Sequence, residues 1–326
     1  MALVMPTPAT ALLIPATSIT ATTRWQVVVD AYLDAAIDSK ESRRAYRRNL
    51  MRAFTALGIT VVAELTGAHL AAYRAAVTTS ALSPSSQSQV LASLRAFLSW
   101  ARTMGAHPLP LEVVQMALRT PRSTVRRPYQ VLSESEVAAI LTAAPTARDK
   151  ALLAVLLGGG LRVSEACNLD VADVMMDQDG GAALYVRQGK GRKDRAVPVQ
   201  PDVIHLIRTY LARSNRHLGT VGPLFSAHDR AAKKRQGGRI TARAVGEMVQ
   251  RCTAAAHIEG KRISPHSLRH TFAIRALRTE GNVVKVSKLL GHASITTTSR
   301  YVDHLALGEL RSTVPSLPIE GGKIQR

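Results

Sequence analysis

Near the start of the chain, apolar residues return every three or four positions in four successive runs, and each run predicts an amphipathic helix. Trp25, Val28, Val29, Tyr32, Leu33 and Ala36 mark the first. The second covers Ser39 to Leu57, with Lys40, Arg43, Arg44, Arg47, Arg48 and Arg52 on its polar face. Thr66 is placed to cap a third, which holds Leu70, Tyr73 and Val77. Ser83 and Pro84 open a fourth along Val90, Leu91, Leu94, Phe97, Leu98 and Trp100. Four helices with short joints predict an all-helical domain over 22–107.

The pattern then lapses. His107 to Pro110 and Pro121 to Pro128 bracket an expected basic linker over 108–128, with Arg126 and Arg127 at its end. A second domain is expected over 129–312. Ser133, followed by Glu134 and Glu136, reads as a capped helix start, and Ala147 to Leu157 as a buried helix running into Gly158, Gly159 and Gly160. Residues 183–188 and 195–199 read as two β-runs joined by GKGRKD, a hairpin with Lys190, Arg192 and Lys193 at its tip. Thr241 can cap a helix to His257. Ser264 and Pro265 start another that ends at Gly281 and Asn282, a shorter one ends at Gly291, and Ser294 caps a last turn. The fold class expected is mainly α with a small antiparallel β-sheet (α+β).

Composition narrows the partners. With 46% apolar but only 4% aromatic residues, the cores are built of Ala, Leu and Val. A net charge of +20, from 43 basic and 23 acidic residues, points to a polyanion. Residues 1–21 carry no charge but are broken by Pro6, Pro8 and Pro15, so they read as a flexible leader and not as a signal peptide or a membrane span. Residues 313–326 read as a flexible tail. Two cysteines, Cys167 and Cys252, make no disulfide framework and suit a reducing cytoplasm. Double-stranded DNA is the expected partner, with no membrane. Its contacts are expected from Arg43, Arg44, Arg47 and Arg48, from Arg126 and Arg127, from Arg192 and Lys193, and from Lys233, Lys234 and Arg235 within the basic stretch Arg208 to Arg243.

The candidate chemistry lies late in the chain. His266, Arg269 and His270 share one helix face, His292 follows the Gly291 stop, and Arg300 and Tyr301 come next. Cationic groups and a phenol at helix edges suit a phosphate, although such a face is more often merely solvated. Zinc is the weaker reading of the three histidines, since no Cys or acid at suitable spacing joins them.

HSLRH at 266–270, LLGH at 289–292 and Tyr301 resemble the second box of the tyrosine recombinase and phage-type integrase family, of the Xer-like kind. The intervals agree as well, at 23 residues from Arg269 to His292 and 9 from His292 to Tyr301. LRVSEACNL at 161–169 resembles the first box, and GKGRKD the lysine-bearing turn. The resemblance implies a helical core-binding domain before a catalytic domain, and site-specific recombination through a 3′-phosphotyrosyl intermediate. It implies Tyr301 as nucleophile, Arg162 and Arg269 as a phosphate clamp, His292 as a further donor, Lys190 as general acid, His266 as acceptor of the tyrosine proton and Glu165 as the group that holds Arg162 or His266 in place. It implies no cofactor and no metal. A homotetramer on paired DNA sites is expected, with an accessory protein or partner recombinase left open. So is the docking of the segment after Tyr301, on its own subunit or on a neighbour. Asp303 departs from the family, where a histidine is frequent. A type IB topoisomerase shares this chemistry. An architectural DNA-binding protein is the non-enzyme alternative, against which the intact set of six residues speaks.

Overall fold

Helix starts in this protein are set by side chains that accept backbone N–H groups the first turn cannot use. Ser39, Thr66, Ser83, Ser133, Thr146, Thr241, Ser264, Asn282 and Ser294 all do so. The computed structural model describes residues 19–120, 129–176, 181–187, 194–227, 238–292 and 294–302. Two units divide the chain, Met1–Arg126 and Arg127–Arg326.

In the first unit the four expected helices are α1 Trp25–Ala36, α2 Lys40–Leu57, α3 Gly67–Thr79 and α4 Pro84–Thr103. Helix α2 ends where Gly58 turns left-handed at φ 66°. The core joins the aliphatic faces to a small aromatic group. Trp25 stacks on Phe54 at 5.0 Å, and Phe97 meets Phe54 and Tyr32 edge-on. The span expected as linker needs a correction, because its first half is a fifth helix, α5 Leu111–Ala117. Val114 and Leu118 are fully buried in this core, and Arg74 and Arg95 donate to the carbonyls of Arg119 and Leu118. Seven residues between prolines are too few to display a period, yet two apolar side chains suffice to dock them.

The second unit is arranged around α7 Ala147–Gly158, whose residues Ala151 to Leu157 are all buried. A helix apolar all round belongs at the centre of a layer, and α6 Glu134–Thr142, α9 Pro201–Arg213 and α11 Pro265–Glu280 pack on it. Three antiparallel strands lie in the order β1 Val174–Met176, β2 Ala182–Val186, β3 Arg195–Val199. Val174 pairs with Leu184 and Val186 with Arg195. Strand β1 was not expected. It is three residues long, with Met175 and Met176 exposed, so it shows no alternation. The remaining helices are α8 Val163–Asn168, α10 Ala242–Ala255, α12 Val283–Leu290 and α13 Ile295–Ser299. Ala273, Ile274, Leu277, Val286, Leu290 and Tyr301 form a separate apolar cluster under the last three helices. Among the described residues no helix is long and apolar enough to cross a membrane.

Candidate active site

Arg162 is the residue before α8, and Glu165 is the third residue of that helix. The carboxylate therefore turns back on the helix start, taking the Arg162 backbone N–H on Oε2 and its Nη1 on Oε1, both at 2.8 Å. Two other arginines reach the same carboxylate. Arg195 is bidentate on it at 3.0 and 2.8 Å, and the Arg269 Nη1 lies 3.8 Å from Oε2. Burial alone would raise the Glu165 pKa, but the bonds from Arg195 and Arg162 outweigh it and hold it at about 2.

Arg269 comes from α11 and is 4% exposed. Its Nη1 donates to the Gly160 carbonyl and its Nη2 to that of Leu290, each at 2.6 Å. Each terminal nitrogen carries a second N–H, so the fork is held by protein and still has donors to offer. Burial, with Arg162 beside it, pulls the Arg269 pKa down to about 10, which leaves it cationic at neutral pH. The triple glycine gains a structural reason here. Gly160 has φ +59°, and a Cβ on it would stand 2.1 Å from the Phe272 ring, so α11 can approach this turn only because the side chain is missing.

His292 follows the left-handed Gly291 that closes α12. Its Nδ1 lies 2.7 Å from Oγ1 of Thr298, a fully buried residue of α13. Burial and the positive field of Arg269, Arg162 and Arg195 push the His292 pKa down to about 4, so the ring is neutral at physiological pH.

Tyr301 is 2% exposed. Its hydroxyl lies 2.9 Å from Nδ1 of His270, whose ring is stacked on Tyr129 at 4.0 Å. Burial, and then Tyr129, push the phenol up to about 12 against the opposing pull of Arg269 and Arg162. Below that pH the resting hydroxyl keeps its proton. The expectation for His266 changes on this geometry. His266 is exposed, and His270, one helical turn further on, is the residue at the hydroxyl. Both histidines sit on the same helix, four residues apart, so the local pattern could not choose between them. Arg195, Thr298 and Tyr129 were missed as site residues. Arg195 reaches Glu165 from thirty residues away and Tyr129 meets His270 across the fold, and although Thr298 lies only six residues after His292, nothing in the sequence says that its hydroxyl turns onto that ring.

Lys190 lies outside the described residues, as do Arg126, Arg127, Arg192, Lys193, Lys233, Lys234, Arg235 and the segment after Val302. On α2 the six basic residues divide. Arg43 donates to Asp34 at 2.8 Å and to the Ile37 carbonyl, and Arg47 pairs with Asp30 at 2.7 Å. Helix α1 thus supplies two acids to this basic face. Arg44, Arg48 and Arg52 are exposed at four-residue spacing on a neighbouring stripe. In the described part of the stretch Arg208 to Arg243 the arginines also divide. Arg216 is turned onto the carbonyls of Pro223 and Leu224 and Arg239 pairs with Asp170, while Arg208, Arg213 and Arg243 are exposed, the last beside Glu247. Among the described residues no group of three or more His, Cys, Asp or Glu side chains is gathered to hold a metal ion.

Comparison with known proteins shows the family and the fold. The family model described as Phage integrase family matches residues 130–307, and that of the Phage integrase, N-terminal SAM-like domain matches residues 30–105. Tyrosine recombinase XerC of Myxococcus xanthus is 33% identical over 226 residues, which are 67% of this chain and 71% of that protein. In fold the chain is similar to the XerH site-specific recombinase bound to palindromic difH substrate, with a TM-score of 0.67, 19% identity and coverage of 90% of this chain and 84% of that one. It is similar also to a lambda integrase tetramer bound to a Holliday junction, with a TM-score of 0.64, 19% identity and coverage of 86% and 77%.

Proposed function

Because the chain belongs to the phage integrase family and is a tyrosine-type site-specific recombinase, we propose that Tyr301 is the nucleophile with which it cleaves and rejoins DNA. The reading is carried by one observation. Arg162 and Arg269, far apart in sequence, meet at the Glu165 carboxylate, and Arg269 also donates to the Leu290 carbonyl two residues before His292, whose ring lies 6.5 Å from that of Tyr301.

The Tyr301 oxygen attacks the scissile phosphorus, the bond to the 5′ oxygen breaks, and a 3′-phosphotyrosyl link forms. Arg162 and Arg269 hold the non-bridging oxygens, where a planar, always charged fork fits best. Thr298 engages Nδ1 at 2.7 Å and leaves Nε2 to face the phosphate, so the tautomer protonated on Nε2 is the one that adds a neutral donor. Geometry favours His270 over His266 as acceptor of the phenol proton, since it already lies 2.9 Å from the hydroxyl. Lys190 protonates the 5′ oxygen, a role that rests on the family pattern. Attack by the 5′-hydroxyl of a second strand reverses each step, so no cofactor is consumed. The substrate is duplex DNA held by a homotetramer on paired sites, and the lambda integrase of similar fold forms a tetramer on a Holliday junction.

The test begins by letting the protein select its own site from a random-sequence duplex library and placing that site in a nicked suicide duplex. The wild type should form a denaturant-stable adduct, while Tyr301→Phe should bind the duplex and form none. An adduct from the Phe variant overturns the assignment. Strand exchange between two such duplexes separates a recombinase from a relaxing enzyme. His270→Ala should slow cleavage more than His266→Ala, and the opposite order returns the proton to His266.

A further inference from the structure

We infer that Arg195 is a positioning residue for strand cleavage, which ties β3 to the arginine clamp and to the helix end that presents His292. The inference rests on the recombinase reading above. Arg195 is the first residue of β3, paired with Val186 across the hairpin, and follows Lys190 by five residues in the sequence.

Its side chain is 13% exposed, and all three of its nitrogens are aimed at protein acceptors. Nη1 and Nη2 take one oxygen each of Glu165, and Nε donates to the Leu289 carbonyl at 3.3 Å. The carboxylate is thereby shared. Arg162 also bonds it, so the orientation of Glu165 sets where Arg162 points, and Arg269, held by its two carbonyls, lies within ion-pair reach of the same carboxylate. Without Arg195 half the bonds that orient the carboxylate are gone, and it can turn toward either remaining arginine.

The other end of the tie is α12. Leu289 lies three residues before His292, and Gly291 lies against the Arg195 side chain. A Cβ on Gly291 would stand 2.9 Å from Arg195 Cδ and Nε and 3.0 Å from Cζ. Gly291 is thus required twice, for its φ of +61° and for the close approach of this guanidinium. One side chain therefore fixes the distance from the Glu165 carboxylate to the turn that carries His292. A displacement of about 1 Å at such a site lowers a rate by on the order of 10²-fold.

The experiment uses the full chain and the self-selected suicide duplex. Arg195→Gln should lower single-turnover cleavage by roughly 10²-fold and leave half-site binding within about twofold. Arg195→Lys, which keeps the charge but not the fork, should lower it by at least about tenfold. The decisive arm is the pair with Glu165→Gln. If Arg195 acts through Glu165, adding Arg195→Gln to that variant should slow cleavage by no more than about threefold further. Defects that multiply in full would mean that Arg195 acts apart from the Glu165 carboxylate and would overturn the positioning role. So would wild-type cleavage by Arg195→Gln with nothing but a lower melting temperature. Half-site binding reports that each variant is folded. A wild type that forms no adduct removes the recombinase reading and this inference with it, whereas an active wild type with unaffected variants removes the inference alone.

Discussion

In the unit Arg127–Arg326, Arg162, Arg195 and Arg269 close on the one carboxylate of Glu165 and keep 21%, 13% and 5% of their side chains exposed. On α2 of the other unit, Arg44, Arg48 and Arg52 stand in solvent one turn apart, while Arg43 and Arg47 lean on Asp34 and Asp30. The residue type is the same and the physical task differs. A guanidinium that must meet a phosphate oxygen in a transition state has to be held to within about 0.5 Å, which needs burial and bonded nitrogens. Burial of charge is costly, so a shared carboxylate and backbone carbonyls must accompany it. A guanidinium that adds to attraction for a polyanion needs only to be near it. Freedom of the side chain costs little there, and every neutralised phosphate releases counterions.

The largest effect should come from the buried set. Arg269→Lys keeps the charge but cannot donate to the Gly160 and Leu290 carbonyls and a phosphate together, so single-turnover cleavage should fall by about 10³-fold with half-site binding nearly unchanged. A variant that loses binding in proportion to cleavage would erase the distinction between the two regions.

The exposed set should behave in the opposite way. Changing Arg44, Arg48 and Arg52 together to Ala should flatten the slope of log affinity against log salt by about 0.9 for each phosphate no longer neutralised, and leave cleavage at saturating protein intact. A cleavage defect that survives saturation would show that α2 positions DNA as well as attracting it. Arg44→Ala and Arg43→Ala taken singly sharpen the point. The first should flatten the salt slope by about 0.9, the share of a single phosphate. The second should barely change it, because its guanidinium is engaged by Asp34 and Ile37 and an exposed pair contributes at most about 1 kcal/mol to the fold.

The smallest effect concerns pH. His292 titrates at about 4 in the fold against an ordinary 6.5, so the unfolded chain takes up its proton first as pH falls. Its contribution to stability is therefore whole above pH 6.5 and is lost between 6.5 and 4, by on the order of 1–3 kcal/mol. Glu165 falls in a lower window, since a carboxyl held at about 2 against 4.5 loses its contribution below pH 4.5. Burial pushes His107 down as well, so the measurement is the difference between wild type and His292→Asn in thermal unfolding at pH 7 and pH 5. An identical loss in both proteins would place His292 in a more open setting than its contacts imply.

Much of this molecule is local, and the sequence by itself determined that part. Helix caps such as Ser39, Ser133 and Ser264 act within three residues, so their positions are readable directly. Apolar periodicity marked the faces of α1 to α4, and the resemblance of three short motifs to a known family pointed to Arg162, Arg269, His292 and Tyr301. Helix α5 and strand β1 escaped because they are too short to show a period. What only the tertiary structure decided is which partner each side chain meets. A helical wheel puts Arg43 and Arg44 on adjacent stripes but cannot say that Asp34 of another helix claims the first. Nor can it say that His270, rather than His266, receives the Tyr301 hydroxyl, or that Arg195 crosses from a strand to Glu165 and packs on Gly291. Those choices depend on distances between elements. Distances are set by the packing of whole cores, and no residue's own neighbours in the sequence contain them.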